Sequence, residues 1–185
     1  MSGRNTTIVP ALLQAGFGVV SVDLPCHVGA TPSTQPLPSL RCWRERLSNG
    51  EDIFGPFADR VSQVITLLRP DTVAVMGVSR GAYAGAIAAA KDHRITRVVG
   101  IAPVTDLSKL QEFDSANIAP DLSLYYPALL SKRIFVAINA DDQRVSTDAA
   151  KAFAASVGSE LSEMPGSGHA NFDHNIAVQW LVAYP

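Results

Sequence analysis

The stretch that decides the fold is Met76-Gly77-Val78-Ser79-Arg80-Gly81-Ala82-Tyr83. Its centre, Gly77-Val78-Ser79-Arg80-Gly81, fits the pattern G-x-S-x-G, with an apolar run before it at residues 72–76 and an alanine-rich run after it at residues 82–90. These flanks predict a strand, a sharp turn and a helix, with the serine hydroxyl projecting from the turn as a nucleophile. Glycines are expected two positions before and after the serine, because a Cβ there would collide with the turn or the adjoining strands.

The composition predicts one well-packed domain over residues 1–185. Of the 185 residues, 47% are hydrophobic and 17% are charged, which excludes a disordered chain. The formal net charge is −2, and the charged residues are scattered without a basic stripe or a polybasic segment. We therefore expect no nucleic-acid partner and no membrane partner.

Residues 1–7 are polar and lack the apolar core of a signal peptide, and the apolar runs are shorter than a membrane span. We therefore expect a soluble protein of the cytoplasm. The two cysteines, Cys26 and Cys42, are too few for a disulfide framework. We expect two free thiols, as in a reducing compartment, with a bridge between them as the alternative.

Short apolar runs alternate with longer helical segments along the chain. Strands are predicted at residues 17–22, 72–76, 97–102, 133–139 and 160–164. Helices are predicted at residues 6–15, 52–68, 82–90, 147–157 and 171–183, with loops at 32–38 and, with short helical pieces, at 103–126. This alternation predicts an α/β fold, a mostly parallel sheet of about five strands with helices on both faces. Ligands of such sheets bind beyond the carboxyl ends of the strands, so the residues after each strand are the candidates for a site.

A serine hydroxyl needs a base within hydrogen-bond reach, and the base needs a group that fixes its tautomer. Of the four histidines, His169 follows the last predicted strand in a flexible turn and is the favoured base, with His174 in reserve. His27 follows the first predicted strand, inside a turn. His93 lies at a solvated helix end on the opposite side of the sheet and is expected to be structural.

Three aspartates are candidates for the acid. Asp141 and Asp142 follow the strand predicted at residues 133–139, and Asp142 is preferred because a residue or two of loop lets its side chain turn back across the strand end. Asp141 is expected to cap a helix or to lie in a solvated turn, and Asp106 is expected to cap the next helix. The candidate set is therefore Ser79, Asp142 and His169 in chain order.

With these residues in place, the chain resembles the α/β-hydrolase superfamily, in which the nucleophile, acid and histidine follow in this order. The run Phe17-Gly18-Val19-Val20-Ser21-Val22-Asp23-Leu24-Pro25-Cys26-His27 resembles the fourth strand and its turn, and the G-x-S-x-G stretch resembles the elbow after the fifth. Asn139-Ala140-Asp141-Asp142-Gln143-Arg144-Val145 resembles the acid loop G-x-x-D-x-x-V with Asn139 in place of the glycine, and Gly168-His169 resembles the histidine loop. The elbow with Arg80, followed by Pro103-Val104-Thr105-Asp106, is similar to small serine esterases of the dienelactone-hydrolase and prolyl-oligopeptidase-like branch.

The resemblance also implies strands that this sequence lacks, which makes the expected fold a truncated one. Family members carry two or three strands before the first helix, and the loop after the third strand donates an oxyanion N–H; removing one such donor lowers turnover by about 10²–10³-fold. Because the third strand lies between the fourth and the fifth, its absence removes an interior strand. Three explanations are open: a shortened reading of a longer protein, which we favour, a rearranged sheet, or a strand supplied by a partner chain. An uncovered strand edge also favours a homodimer.

The function implied by the resemblance is a serine hydrolase that cleaves a carboxylic ester. Ser79 would attack the carbonyl, His169 would transfer the proton, Asp142 would orient His169, and the backbone N–H of Arg80 would stabilise the oxyanion. A peptidase or thioesterase with the same triad is one alternative, and a catalytically inactive hydrolase-like module is another.

The side chains around the elbow have their own expectations. We expect the Arg80 guanidinium to form a salt bridge beneath the elbow, with binding of a substrate carboxylate as the alternative, and we expect Tyr83 and Trp43 to pack in the core. No metal site and no phosphate loop is apparent in the sequence. A small-molecule ester is the expected partner, and no cofactor is implied.

Overall fold

The computed structural model describes residues 8–27, 39–113, 122–169 and 174–184. In these residues four parallel strands form one sheet in the order β1-β2-β3-β4. The strands are Val73–Val78 (β1), Ile95–Ile101 (β2), Arg133–Asp141 (β3) and Glu160–Ser167 (β4). Helical crossovers join consecutive strands, because parallel neighbours cannot be joined by a tight hairpin. The predicted α/β class with a parallel sheet is confirmed.

Helices lie on both faces of this sheet. They are α1 (Ile8–Gln14), α2 (Ser39–Ser48), α3 (Gly55–Leu68), α4 (Arg80–Lys91), α5 (Tyr126–Leu129), α6 (Thr147–Val157) and α7 (Asn175–Ala183). The segment between β2 and α5 contains short 3₁₀ helices at Leu107–Lys109, Gln111–Phe113 and Leu122–Tyr125, as expected for a loop with helical pieces. Within the described ranges, no helix is both long and apolar enough to cross a bilayer.

The core is divided by the sheet into two apolar layers. Along β3, Ile134, Val136 and Ile138 pack with helices α2, α3, α4 and α6, whereas Phe135 and Ala137 pack with α1 and α7. Successive side chains of a strand point to opposite faces, so a strand buried on both faces reads as a continuous apolar run. All five of these side chains are buried. Burial of each Ile, Val or Phe side chain among them stabilises the fold by about 1.5–3 kcal/mol.

The helix boundaries follow local signals. α6 has the predicted bounds, since Ser146 caps its start and Gly158, at φ +64°, ends it. α3 begins at Gly55, three residues later than predicted. The reason is Asp52, whose Oδ1 accepts hydrogen bonds from the N–H groups of Phe54 (3.1 Å) and Gly55 (2.7 Å) and thereby replaces the first helical turn.

The strand predicted at residues 17–22 is not formed, so the described sheet has four strands and not about five. Val19 and Val20 remain 37% and 54% exposed, and all six residues of β1 are only half-buried. The family's third strand would lie between this segment and β1, and no described segment occupies that place. A strand requires a hydrogen-bonded neighbouring strand, and none of the described strands pairs with residues 17–22.

The expectation of two free thiols is wrong. Cys26 and Cys42 form a disulfide whose Cα atoms lie 6.1 Å apart, and the indole N–H of Trp43 donates a 2.7 Å hydrogen bond to the carbonyl of Pro25. Two links therefore fasten α2 to the turn that ends at His27. Cysteine count carries no information about spatial separation, which is why the sequence could not predict this pair.

Candidate active site

Ser79 occupies the turn between β1 and α4. Its backbone has φ 55° and ψ −121°, a conformation that a residue with a Cβ adopts only under constraint. Three hydrogen bonds supply the constraint: its N–H donates to the carbonyl of Ile101 (2.9 Å), and its own carbonyl accepts from the N–H groups of Ala82 (3.0 Å) and Val104 (3.2 Å). The turn is thus clamped to β2 and to the loop that follows β2.

The two glycines of the elbow have different roles. A Cβ added to Gly77 would lie 2.3 Å from the backbone carbon of Gly81, so no other residue fits there without a shift of the main chain. A Cβ added to Gly81 would meet only the Cδ1 atom of Leu24, at 3.7 Å, an ordinary contact. The predicted steric need for glycine is confirmed at Gly77 and wrong at Gly81.

The start of α4 offers backbone N–H groups for negative charge. Arg80 is the first residue of this helix, and the Ser79 side chain makes no capping hydrogen bond to it. The first N–H groups of a helix have no partner within the helix, and the helix dipole favours an anion at this end. The N–H of Arg80 therefore lies where one oxyanion donor is expected.

Asp142 and His169 are in direct contact. The imidazole Nδ1 lies 2.9 Å from Asp142 Oδ2, and the exposed fractions of the two side chains are 21% for His169 and 1% for Asp142. The other carboxylate oxygen, Oδ1, accepts from the N–H groups of Arg144 (2.7 Å) and Val145 (3.1 Å). These bonds fix the carboxylate. With a hydrogen on Nδ1 directed at Oδ2, Nε2 is the ring nitrogen that can accept a proton.

The three predicted site residues lie at one end of the sheet, called the carboxyl end below. Ser79 follows β1, Asp142 follows β3 and His169 lies two residues after β4. β2 alone separates β1 from β3, and neighbouring strands lie about 4.8 Å apart, so the serine and the acid are about two strand spacings apart.

The other candidates take no part in the hydrogen bond between Asp142 and His169. Asp141, the last residue of β3, is exposed, as a solvated turn residue would be. Asp106 accepts hydrogen bonds from the N–H and hydroxyl of Ser108 and caps a 3₁₀ helix, as expected. His93 is exposed and precedes β2 at the opposite end, and His174 immediately precedes α7.

The Arg80 side chain does not form the salt bridge that the sequence favoured, as far as the described residues show. Its Cζ atom lies 5.6 Å from the centroid of the Trp43 ring, and its Nη2 atom lies 3.4 Å from His27 Nδ1. Burial lowers the pKa of the Arg80 guanidinium. Trp43 and Tyr83 are fully buried beside Phe54, so both are core residues as predicted.

Asn139 is a site residue that sequence reasoning missed. Its Nδ2 donates a 2.6 Å hydrogen bond to the carbonyl of Gly168, the residue before His169. The available signal was its position in the acid loop, where the family pattern has glycine. No group of His, Cys, Asp and Glu in the described part of the chain has an arrangement suited to a metal ion.

The comparisons with known proteins identify the fold family of the chain. The alpha/beta hydrolase fold family matches residues 2–128, a range that includes the elbow and ends before Asp142 and His169. No relative of the chain is found among curated proteins.

Three solved structures indicate how far the likeness extends. A monoacylglycerol lipase of Paleococcus ferrophilus is 15% identical with a TM-score of 0.69, over 100% of this chain and 90% of that one. An esterase of Pyrococcus furiosus is 15% identical with a TM-score of 0.70, over 97% and 72%. A puromycin-hydrolyzing peptidase of Mycobacterium tuberculosis is 14% identical with a TM-score of 0.51, over 70% and 23%. At these identities the likeness establishes the fold alone.

Proposed function

Because the chain belongs to the alpha/beta hydrolase family, we propose that it is a serine hydrolase that cleaves carboxylic esters of small molecules. The observation that carries the proposal is the 2.9 Å contact between Asp142 and His169, at the same end of the sheet as Ser79. His169 follows β4 and so lies at the end of the sheet where the elbow presents Ser79. The contact therefore supports a catalytic role for all three residues.

The first half of the reaction forms an acyl-enzyme. Ser79 Oγ attacks the ester carbonyl carbon while His169 Nε2 accepts the hydroxyl proton, and Asp142 stabilises the imidazolium. The negative charge that develops on the carbonyl oxygen is stabilised by the N–H of Arg80. Collapse of the tetrahedral intermediate breaks the bond to the alcohol oxygen, and that oxygen takes the proton from His169. The acyl group stays on Ser79.

The second half repeats these steps with water as the nucleophile. His169 Nε2 accepts a proton from water, and the resulting hydroxide attacks the acyl carbon. The second intermediate collapses, Ser79 Oγ regains the proton from His169, and the carboxylic acid leaves. No step calls on a cofactor.

An ester is the preferred substrate class, with peptides and thioesters as the alternatives. Two of the structures with TM-scores near 0.7 are a lipase and an esterase, while the peptidase matches with a lower TM-score and over less of either chain. These names describe those proteins, and they support the order of the candidates for this chain.

A substrate panel tests the proposal. The purified chain and its Ser79→Ala variant are assayed with p-nitrophenyl esters of increasing acyl length, with peptide p-nitroanilides and with acyl thioesters. We expect ester hydrolysis by the wild type and its loss in Ser79→Ala. Hydrolysis of peptides alone would overturn the substrate class, and full ester turnover by Ser79→Ala would overturn the nucleophile.

A catalytically inactive module is the second candidate. It is favoured by the half-buried edge of β1, beside which the family's third strand and its oxyanion donor would lie. A folded wild-type protein that turns over no substrate of the panel would support this candidate over the hydrolase.

The cytoplasm is the location that the sequence predicts, and the disulfide provides its test. Disulfides persist mainly in oxidising compartments, so the Cys26–Cys42 pair argues for a site of action outside the cytoplasm. Alkylation of intact cells before lysis distinguishes a location in the cytoplasm from one outside it. Modified Cys26 and Cys42 would support the cytoplasm, and a protected pair would contradict it.

A further inference from the structure

We propose that Asn139 is a positioning residue that sets the geometry of the Asp142–His169 pair; this inference rests on the proposed function. Asn139 lies near the end of β3 and is 2% exposed, which is unusual for a polar side chain. Its side-chain Nδ2 donates to the carbonyl of Gly168 at 2.6 Å, and its backbone carbonyl accepts a longer bond, 3.4 Å, from the N–H of Asp142. One residue thus contacts both loops that carry the acid and the base.

The backbone ladder between β3 and β4 is irregular at this position. Asn139 is opposite Met164, whereas Asp141 is opposite Ser167, so two steps along β3 face three steps along β4. Pro165 lies inside this interruption and has no N–H to donate. The side-chain bond from Asn139 therefore supplies a link between the strands beyond the point where their regular pairing ends.

Two glycines with unusual backbone conformations lead to His169. Gly166 has φ +129° and Gly168 has φ +114°, values in the region that favours glycine. β4 ends at Ser167, so Gly168 and His169 lie beyond the strand. A bond to the Gly168 carbonyl restricts the peptide that immediately precedes His169, and its donor lies on a buried strand.

A glycine at position 139, as in the family's acid loop, could not make this contact because it has no side chain. Asn139 is therefore a feature of this chain and not of the pattern it resembles. A buried amide group without a hydrogen-bond partner destabilises the fold, so the folded state favours the bond between Asn139 and Gly168.

Loss of the bond between Asn139 and Gly168 is expected to displace His169 and so to lower turnover. A displacement of a catalytic group by about 1 Å costs about 10²-fold in rate, since proton transfer needs a near-attack geometry. His169 acts in the chemical step and contributes no binding of the ester ground state. Removing the Asn139 amide is therefore expected to lower kcat by about 10- to 100-fold and to leave KM unchanged.

The experiment compares Asn139→Ala, Asn139→Thr and Asn139→Gln with the wild type. Asn139→Thr keeps a similar volume and suits a strand, so it provides a folded test where Asn139→Ala is too unstable to purify. Asn139→Gln retains an amide donor and is expected to recover part of kcat. kcat, KM and the rate of fluorophosphonate labelling of Ser79 are measured for each, and loss of labelling rate together with kcat supports the proposal.

Two controls separate the possible failures. Ser146→Ala removes the hydrogen bond from the Ala149 N–H to Ser146 Oγ at the start of α6 and is expected to leave kcat unchanged. Wild-type kcat in folded Asn139→Ala or Asn139→Thr, or an equal loss in Ser146→Ala, would overturn the positioning role. Ser79→Ala is run in parallel: if it abolishes turnover while the Asn139 variants keep it, only the positioning role fails, and if it keeps turnover, the proposed function fails.

Discussion

At the scale of single residues, we expect opposite effects from replacing the two glycines of the elbow with alanine. Gly77→Ala places a Cβ 2.3 Å from the backbone of Gly81, so the turn must shift; we expect a loss of about 1–3 kcal/mol in the free energy of unfolding and loss of ester turnover. Gly81→Ala makes an ordinary contact at 3.7 Å, and we expect the fold and turnover to be kept. Urea unfolding and ester hydrolysis measure both. Equal damage from the two substitutions would refute this view of the elbow.

The sequence could predict the site residues that follow strands, but not a contact that depends on how two strands pair. Ser79, Asp142 and His169 were predicted because each follows a segment that was predicted as a strand and forms one, and parallel strands bring their carboxyl ends together. Asn139 was missed as a positioning candidate because its contact with Gly168 depends on the interrupted pairing of β3 with β4. That interruption is a property of two strands together and is not encoded in either alone.

At the scale of elements, Asp92 links the turn after α4 to α3. Its carboxylate accepts from the guanidinium and N–H of Arg94 and from Ser62 Oγ, at 2.6–3.0 Å. The hydrogen bonds from Arg94 hold the pKa of Asp92 well below its usual range. Replacing Asp92 with Asn is expected to cost about 1.5–3 kcal/mol near neutral pH, because hydrogen bonds to charged groups are the stronger kind.

The pH dependence of this cost follows from the sign of the shift. A carboxyl whose pKa is lowered by folding contributes stability that is fully present above its unfolded pKa of about 3.9 and is lost as the pH falls through the folded value. The difference in unfolding free energy between the wild type and Asp92→Asn should therefore be constant above about pH 5 and shrink below about pH 4. Urea denaturation across this range measures it. A difference that grows on acidification would contradict the assignment.

The disulfide that fastens α2 is expected to stabilise the fold. Cys26 and Cys42 are 16 residues apart, and closing a loop of about this size stabilises a fold by about 3 kcal/mol. The double variant Cys26→Ser/Cys42→Ser is expected to unfold at a lower urea concentration by a corresponding amount, and reduction of the wild type should reproduce the shift. An unchanged midpoint in both samples would show that the two cysteines do not pair in solution.

Elements with strong local signals were predictable, and those that depend on a distant partner were not. Ser146 and Gly158 mark the ends of α6 within the sequence itself, so its bounds agree. Residues 17–22 have the apolar pattern of a strand, yet a strand also needs a neighbour, and pattern alone could not reveal that none of the described segments lies beside it.

At the scale of the whole molecule, the side of β1 that pairs with no described strand bears on assembly. Its six residues, Val73–Val78, are apolar or glycine and only half-buried, whereas natural sheets cover or charge their edges. The sequence predicts a homodimer through this edge. Sedimentation velocity over a wide range of protein concentration tests it: a dimer that dissociates on dilution agrees with the prediction, and a monomer throughout contradicts it.

We propose that Ser79 is the nucleophile of this chain and that it is activated at the carboxyl end of the sheet. The most direct measurement is labelling of the folded protein with a fluorophosphonate, followed by intact mass and peptide mapping. We predict a single adduct on Ser79, no adduct in Ser79→Ala, and much slower labelling in His169→Gln. An adduct on another residue, or none on a folded wild-type sample, would contradict the account.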